Sequence, residues 1–365
     1  MFGVSSFRSF ISNFHTNLSG KNVSKKIVVI ESDDWGSIRM PNKNVFNELL
    51  KAGIPVDKSA YCKFDTLENE EDVTLLLEVL SSVKNREGEN PILTANFVVA
   101  NPDFQKIKAS KFEYYYKESI YQTYKRLSGH EKVLDIIHQG LNEGLIKPQF
   151  HGREHVNIPL WLELLQNNQD FKLAFDHGVW GLSKDVFPYM QKSIQATYDS
   201  EDFEYCKNSI KEGLILFKDI FGFLSKSFIA NNYIWPSEIE QTLFEGGVKH
   251  LQGMKYQLFP MNIDGKRDKR RTYFGQQNKS GMTYGVRNCS FEPIELGDDF
   301  SKTLFQISNA FLFKKPAIIS THRVNFSGGL CKNARDKNLK EFKNLLDEII
   351  KRWPDVIFKS SDQIL

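Results

Sequence analysis

The sequence predicts an α/β protein built from parallel βα units and closed into a distorted (β/α) barrel of seven or eight strands. Three observations predict it. Short apolar, largely β-branched runs alternate with amphipathic helical patterns along nearly the whole chain. The Asp and His residues able to do chemistry fall just after those runs, at the end of the strands where TIM-like barrels carry their sites. An open doubly wound sheet would call for a glycine-rich phosphate turn after its first strand, and Ser32-Asp33-Asp34-Trp35-Gly36 is not one.

The 365 residues are 41% hydrophobic and 25% charged, ordinary for a globular chain. No shift in composition marks a second domain. We divide the chain into an N-terminal helical extension, 1–24, and one barrel domain, 25–365, with a basic polar loop or insertion near 264–282. A net charge of +3 gives no reason to expect a nucleic-acid partner. Cys62, Cys206, Cys289 and Cys331 are far apart, which argues against a thiolate metal site or a disulfide framework and fits a reducing compartment. No apolar run reaches the length of about 18 residues that a membrane span needs. The N-terminus has no continuous apolar segment of signal-peptide type, so the expected location is cytoplasmic. Phe7, Phe10, Ile11 and Phe14 recur at helical spacing; packing on the domain is the first expectation for them, peripheral membrane contact the second.

Taken in order, Ile27-Val28-Val29-Ile30 reads as a buried strand that runs into Glu31, Asp33 and Asp34. Helices are expected over 44–51 and 72–83, the second opening on acidic residues that suit a helix N-terminus. A strand over 91–99 ends in a turn at 101–103. Helical patterns at 112–127 and 131–144 lead to a short strand ending at His151. A helix begins near Trp161, and 171–175 alternates as a strand into Asp176 and His177. A long amphipathic helix over 200–221 precedes a strand at 227–230, which runs into Tyr233 and Trp235. A helix over 237–244 and a short strand over 248–251 come next. After the basic loop, β character returns at 284–291, a helix covers 301–312, and a strand over 316–321 ends at His322. The last helix shows the apolar stripe Leu339, Phe342, Leu345, Leu346, Ile349, Ile350 and Trp353, stopped by Pro354 before a final strand at 356–358.

Two adjacent carboxylates after a buried strand repel, and one is pushed toward protonation unless a cation lies between them. His151 and His155 are four apart, which on a helical turn sets both imidazoles on one face. Two imidazoles and one carboxylate suit zinc and similar divalent ions and leave positions open for water and substrate. Trp35, Trp180 and Trp235 offer flat faces either to sugar rings or to packing around the mouth.

The ordered set formed by Asp33-Asp34, His151-Gly152-Arg153-Glu154-His155, the aromatic-Pro segment 233–236 and Thr321-His322 resembles the polysaccharide deacetylases, the NodB-homology group of carbohydrate esterase family 4. The resemblance runs from about Lys25 to the C-terminus. It implies a divalent metal at the mouth of the barrel and removal of acetyl groups from sugar amides or esters. By the same resemblance Asp34, His151 and His155 are the metal ligands, Asp33 the general base toward the attacking water, and His322 the acid for the leaving group. Zinc is the first choice of metal, with nickel, cobalt and manganese as alternatives. The partner implied is an acetylated sugar or oligosaccharide.

The chain departs from that pattern at three points. The family's bracing arginine is absent from the segment 231–236; Arg153 and Arg287 are the candidates to replace it. The acidic partner of the late histidine is not evident, and Glu292 is the nearest candidate. The first motif reads Ser-Asp-Asp-Trp-Gly rather than aromatic-Asp-Asp-Gly. Trp35, Arg153, Asp176, Tyr233, Trp235 and Arg287 make up the candidate substrate contacts. Two other functions stay open: a sugar-binding protein that has lost catalysis on the same barrel, and a glycoside hydrolase of the same superfamily.

Overall fold

β1 (Ile27–Trp35) is the centre of the sheet and is buried along its whole length. It is flanked by β2 (Leu93–Phe97) on one edge and β8 (Ala317–His322) on the other, both parallel to it. The computed structural model describes residues 14–297 and 300–364. Around β1 runs a nine-stranded parallel sheet in the order β6-β5-β4-β3-β2-β1-β8-β7. Its remaining members are β3 (Ile146–Phe150), β4 (Ser227–Phe228), β5 (His250–Gly253), β6 (Thr283–Val286), β7 (Cys289–Ser290) and β9 (Ile357–Phe358). β9 pairs with the foot of β1 below β2.

The two ends of that order are one stretch of chain. Only Arg287 and Asn288 separate β6 from β7, and their amides donate to Gly253 O on one side and Ile318 O on the other. A single extended segment therefore joins β5 to β8 and closes the curl. With β6 and β7 as one stave, the ring has seven staves, and β9 adds an eighth strand at the foot of β1, within the seven or eight expected. Helices cover its outside. α1 (Glu70–Ser81) starts with a capping box between Asn69 and Asp72. It packs against α2 (Val133–Asn142) and the last helix, α5 (Lys332–Arg352). α5 buries Leu339, Phe342, Leu345, Leu346 and Ile349, the expected stripe, and lies against α4 (Phe300–Leu312). α3 (Phe203–Phe221) comes so close to β3 that a Cβ on Gly213 would stand 2.6 Å from the Phe150 ring. No helix among the described residues is long and apolar enough to cross a membrane.

Several local expectations are corrected. Residues 171–175 belong to a helix, Gln169–Asp176: Asn168 caps it, and Phe171, Ala174 and Phe175 are buried at i, i+3 and i+4. The helix expected over 112–127 forms only at Ile120–Arg126, because Lys117–Ser119 pairs with Ala100–Pro102 as a small antiparallel ribbon. The basic stretch near 264–282 is not a solvated loop. Its Lys269–Arg271 pairs with Tyr256–Leu258 as a hairpin. Arg267 grips the buried Asp199 at 2.7 and 3.0 Å, and Arg270 contacts the buried Glu240. Phe7, Phe10 and Ile11 lie outside the described residues; Phe14 stands edge-on to Phe313.

Arg323, fully buried at the end of β8, ties the barrel to the loop after β1. It donates to both oxygens of Asp65 at 2.9 and 3.0 Å, to Glu68 at 2.8 Å and to Ser37 O at 2.7 Å. Removing one partner of a buried charge network leaves the others unpaired, at a cost of about 3–5 kcal/mol. Arg323→Met should lower stability by that amount in urea unfolding; an unchanged midpoint would show that Asp65 and Glu68 do not depend on it.

Candidate metal centre

Successive residues of a strand face opposite sides, so Glu31 and Asp33 point together into the barrel while Ser32 does not. Asp34 should point away with Ser32. Instead the pairing of β1 with β2 shifts register between Ser32 and Trp35, and Asp34 takes a left-handed backbone with φ of 74°. This irregularity brings both carboxylates to the same cavity, as bulges re-aim side chains elsewhere. β8 is in register with β1 so that His322 lies beside Asp33. His151 follows the last residue of β3 directly. The segment 151–157 is not helical, contrary to the helical turn expected; the next helix starts at Ile158. A turn through Gly152, with φ of 113°, returns the chain so that the two imidazoles stand 5.2 Å apart.

One ligand atom from each of Asp34, His151 and His155 lies within 4.8 Å of the others, and all three residues are buried. Asp34 Oδ1 is 3.3 Å from His151 Nε2 and 3.0 Å from His155 Nε2. Two bonds of ~2.0–2.2 Å at a tetrahedral angle separate their ligand atoms by roughly 3.3–3.6 Å. The Asp34–His151 spacing falls in this range and the Asp34–His155 spacing a few tenths of an ångström short of it, so a slight spreading of the donors would admit one small cation. His151 Nδ1 donates to Ile229 O at 3.0 Å, which leaves the Nε2 lone pair facing Asp34. Burial brings His155 down to about 4 against the pull of Asp34, so its imidazole is neutral and able to coordinate. Its Nδ1 has no hydrogen-bond partner among the described residues. Burial opposes ionisation of Asp34, but His155 and Arg39 hold its carboxyl well below the usual range. Donors of this kind, two nitrogens and one charged oxygen, fit zinc and its neighbours.

Asp33 is held separately. Arg287 donates Nη1 to Oδ2 and Nη2 to Oδ1, both at 2.7 Å, and Nε to Glu31 at 2.7 Å. Burial pushes Asp33 up, but this two-pronged guanidinium contact outweighs it and brings the carboxyl down to about 2. His322 Nε2 is 3.9 Å from Asp33 Oδ2, and its Nδ1 is 2.7 Å from Glu292. Burial lowers the imidazole's affinity for a proton; Glu292 reverses this and raises it well above the usual value.

Asp33, Asp34, His151, His155, Glu292 and His322 open onto a cavity of about 650 Å³ at the C-terminal ends of the strands. Of the expected substrate contacts, Tyr233 lines it; Trp35, Arg153, Asp176, Trp235 and Arg287 do not. Trp35 and Trp235 are buried, their indole N–H groups bonded to Ser32 and Glu240. Arg153 faces Glu154 and Glu212. Asp176 ends an outer helix and pairs with Lys108 at 2.6 Å. Arg287 is wholly buried and grips Glu31 and Asp33 instead of facing the cavity. Arg39 and Tyr61 line the cavity, and neither was singled out from the sequence. Arg39 donates to Asp34 Oδ2 at 2.9 Å and sits over the rings of Tyr61 and Trp180. Nothing in the local sequence marks it. Glu31 had a signal: two residues before Asp33, it had to share its face.

No protein-family model matches the sequence, and none of the curated proteins matches it. Among solved structures, the chain is similar to a putative polysaccharide deacetylase from Mycobacterium smegmatis, with TM-score 0.42 and 10% identity over 95% of this chain and 91% of that one. It is similar to a probable polysaccharide deacetylase from Pseudomonas aeruginosa PAO1, with TM-score 0.43 and 10% identity over 92% and 88% of the two chains. It is also similar to the 4-alpha-glucanotransferase from Thermococcus litoralis, with TM-score 0.44 and 9% identity over 92% of this chain. The chain spans 39% of that glucanotransferase.

Proposed function

We propose that the chain is a metal-dependent hydrolase that removes acetyl groups, linked through nitrogen or oxygen, from a carbohydrate. One observation carries this reading. The three donors of Asp34, His151 and His155 meet in a cavity that also holds a carboxylate gripped by Arg287 and an imidazole bonded to Glu292. A divalent cation on those donors would polarise an acyl carbonyl and make hydroxide accessible near neutral pH. Asp33 takes the proton of the attacking water, and Arg287 keeps its carboxylate ionised and aimed. His322, charged by Glu292, gives a proton to the departing sugar nitrogen or oxygen. Tyr233 and Tyr61 give the sugar aromatic walls. Zinc suits the donor set best, with nickel, cobalt or manganese as alternatives.

Metal content and acetate release from a panel of acetylated sugars test the reading. His151→Ala and Asp34→Ala should each lose the metal, and full occupancy in both would overturn the ligand assignment. Asp33→Asn should keep the metal and lose about 10²–10⁴-fold in rate; undiminished acetate release would remove the base. Release of free sugar in place of acetate would favour a glycoside hydrolase. A metal-free protein that binds oligosaccharide without turnover would favour the binding protein.

Glu292→Gln tests the acid. Because Glu292 raises the proton affinity of His322, its loss should lower it. The proton needed by the leaving group is then lost at a lower pH, so the alkaline limb of kcat should move down the pH scale. An unmoved limb would mean that another group supplies the proton.

A further inference from the structure

We infer that Asn96, locked by Gln252, is a positioning residue that decides which oxygen of Asp33 faces the reaction; the inference rests on the proposed role of Asp33 as base. Asn96 lies on β2, beside β1, and both amides are buried inside the barrel. Asn96 Nδ2 donates to Asp33 Oδ1 at 2.7 Å and to Gln252 Oε1 at 2.8 Å. Gln252 Nε2 donates back to Asn96 Oδ1 at 2.9 Å and onward to Ser227 Oγ at 2.8 Å. Both hydrogens of each amide are thus committed. Turning Asn96 over would set its oxygen against Asp33 Oδ1 and Gln252 Oε1, three acceptors with no donor among them. The pair is therefore directional.

The consequence falls on Asp33. With Asn96 Nδ2 and Arg287 Nη2 both at 2.7 Å, Oδ1 has its two lone pairs occupied. Oδ2 accepts Nη1 of Arg287 and keeps a free lone pair on the side of His322. Arginine alone grips the two oxygens alike and would not choose between them; the amide breaks the symmetry. Inward positions of such barrels are ordinarily filled by branched apolar side chains. Polar amides at two of them call for a reason, and aiming the base is one that these distances supply.

The test uses Asn96→Ala and Gln252→Met. Asn96→Ala should lower kcat about 10–100-fold, the usual effect of losing an outer-shell partner, with KM and bound metal unchanged. Gln252→Met should lower kcat less, and the two losses should be less than additive in the double variant, since Gln252 acts mainly by holding Asn96 and only otherwise through a longer contact, 3.3 Å, from Arg287 Nη2. A second readout needs no turnover: in metal-free protein, Asn96→Ala should lower the unfolding midpoint more in the native background than beside Asp33→Ala, where only its bonds to Gln252 remain to be lost. An unchanged kcat in Asn96→Ala, a loss confined to KM or metal content, or additive unfolding costs would each overturn the inference. If the unchanged protein deacetylates nothing, the hydrolase reading falls on its own, and the unfolding cycle still decides whether Asn96 holds Asp33.

Discussion

Two neighbouring carboxylates are buried at one mouth, and the surroundings keep both of them charged. Two like charges at about 5 Å repel by ~3 kcal/mol even at an effective dielectric constant of about 20. Burial adds its own penalty to each ion. The fold answers with separate cations from separate directions. Asp33 takes Arg287 from the stretch that closes the barrel, and Asp34 takes Arg39 from the loop after β1. The division leaves Asp34 Oδ1 toward the histidines and Asp33 Oδ2 toward His322. The two carboxylates are adjacent in sequence yet not interchangeable, because each has lost the use of a different oxygen.

Closure of the barrel and bracing of Asp33 are one event. Arg287 sits at the crossover where the chain leaves β5 and joins β8, so its side chain points inward at the level of Glu31 and Asp33. A guanidinium buried there needs more than one acid to satisfy it. Glu31 supplies the second, and Ser361 near the C-terminus donates to Glu31 in turn at 2.6 Å. The interior thus runs from a plug at the foot of the barrel to the reacting end through side-chain contacts alone.

Much of this was legible in the chain. The apolar run before Asp33, the four-residue spacing of His151 and His155 and the strand before His322 each mark a strand end, and the structure sets those ends side by side. The barrel was legible because strand and helix periods alternate along nearly the whole chain. The targets of the arginines were not. Arg287 and Arg153 look alike in sequence, and only the crossover between β6 and β7 sends one inward while the other meets Glu154 and Glu212. The hairpin was hidden because Lys269 and Arg271 carry charges that suit a loop, whereas Arg267 and Arg270 beside them answer acids over 25 residues away. Long-range pairing leaves no local period to read. The strand expected at 171–175 failed for the opposite reason: a few alternating residues fit period two, while the cap at Asn168 and the buried trio favour two turns of helix.

The left-handed backbone at Asp34 is costly for a residue with a Cβ, on the order of 1–3 kcal/mol, and lasts only where its surroundings over-determine it. Here they do. Arg39 fixes Oδ2, the two imidazoles face Oδ1, and Arg39 itself is held between Tyr61 and Trp180 with Asp65 3.2 Å from its Nε. Asp65 is shared with Arg323, which also reaches Glu68, and Glu68 accepts from the amide of Gly36 just past the bulge. The line of alternating charges therefore starts at Asp34 and returns to the turn that distorts it. Such a loop explains why the strain sits at this residue and nowhere else along β1. The interactions that hold Asp34 out of its regular strand position are the same ones that join the two central strands to the loop above them, so the geometry of the site cannot relax without loosening the barrel's mouth.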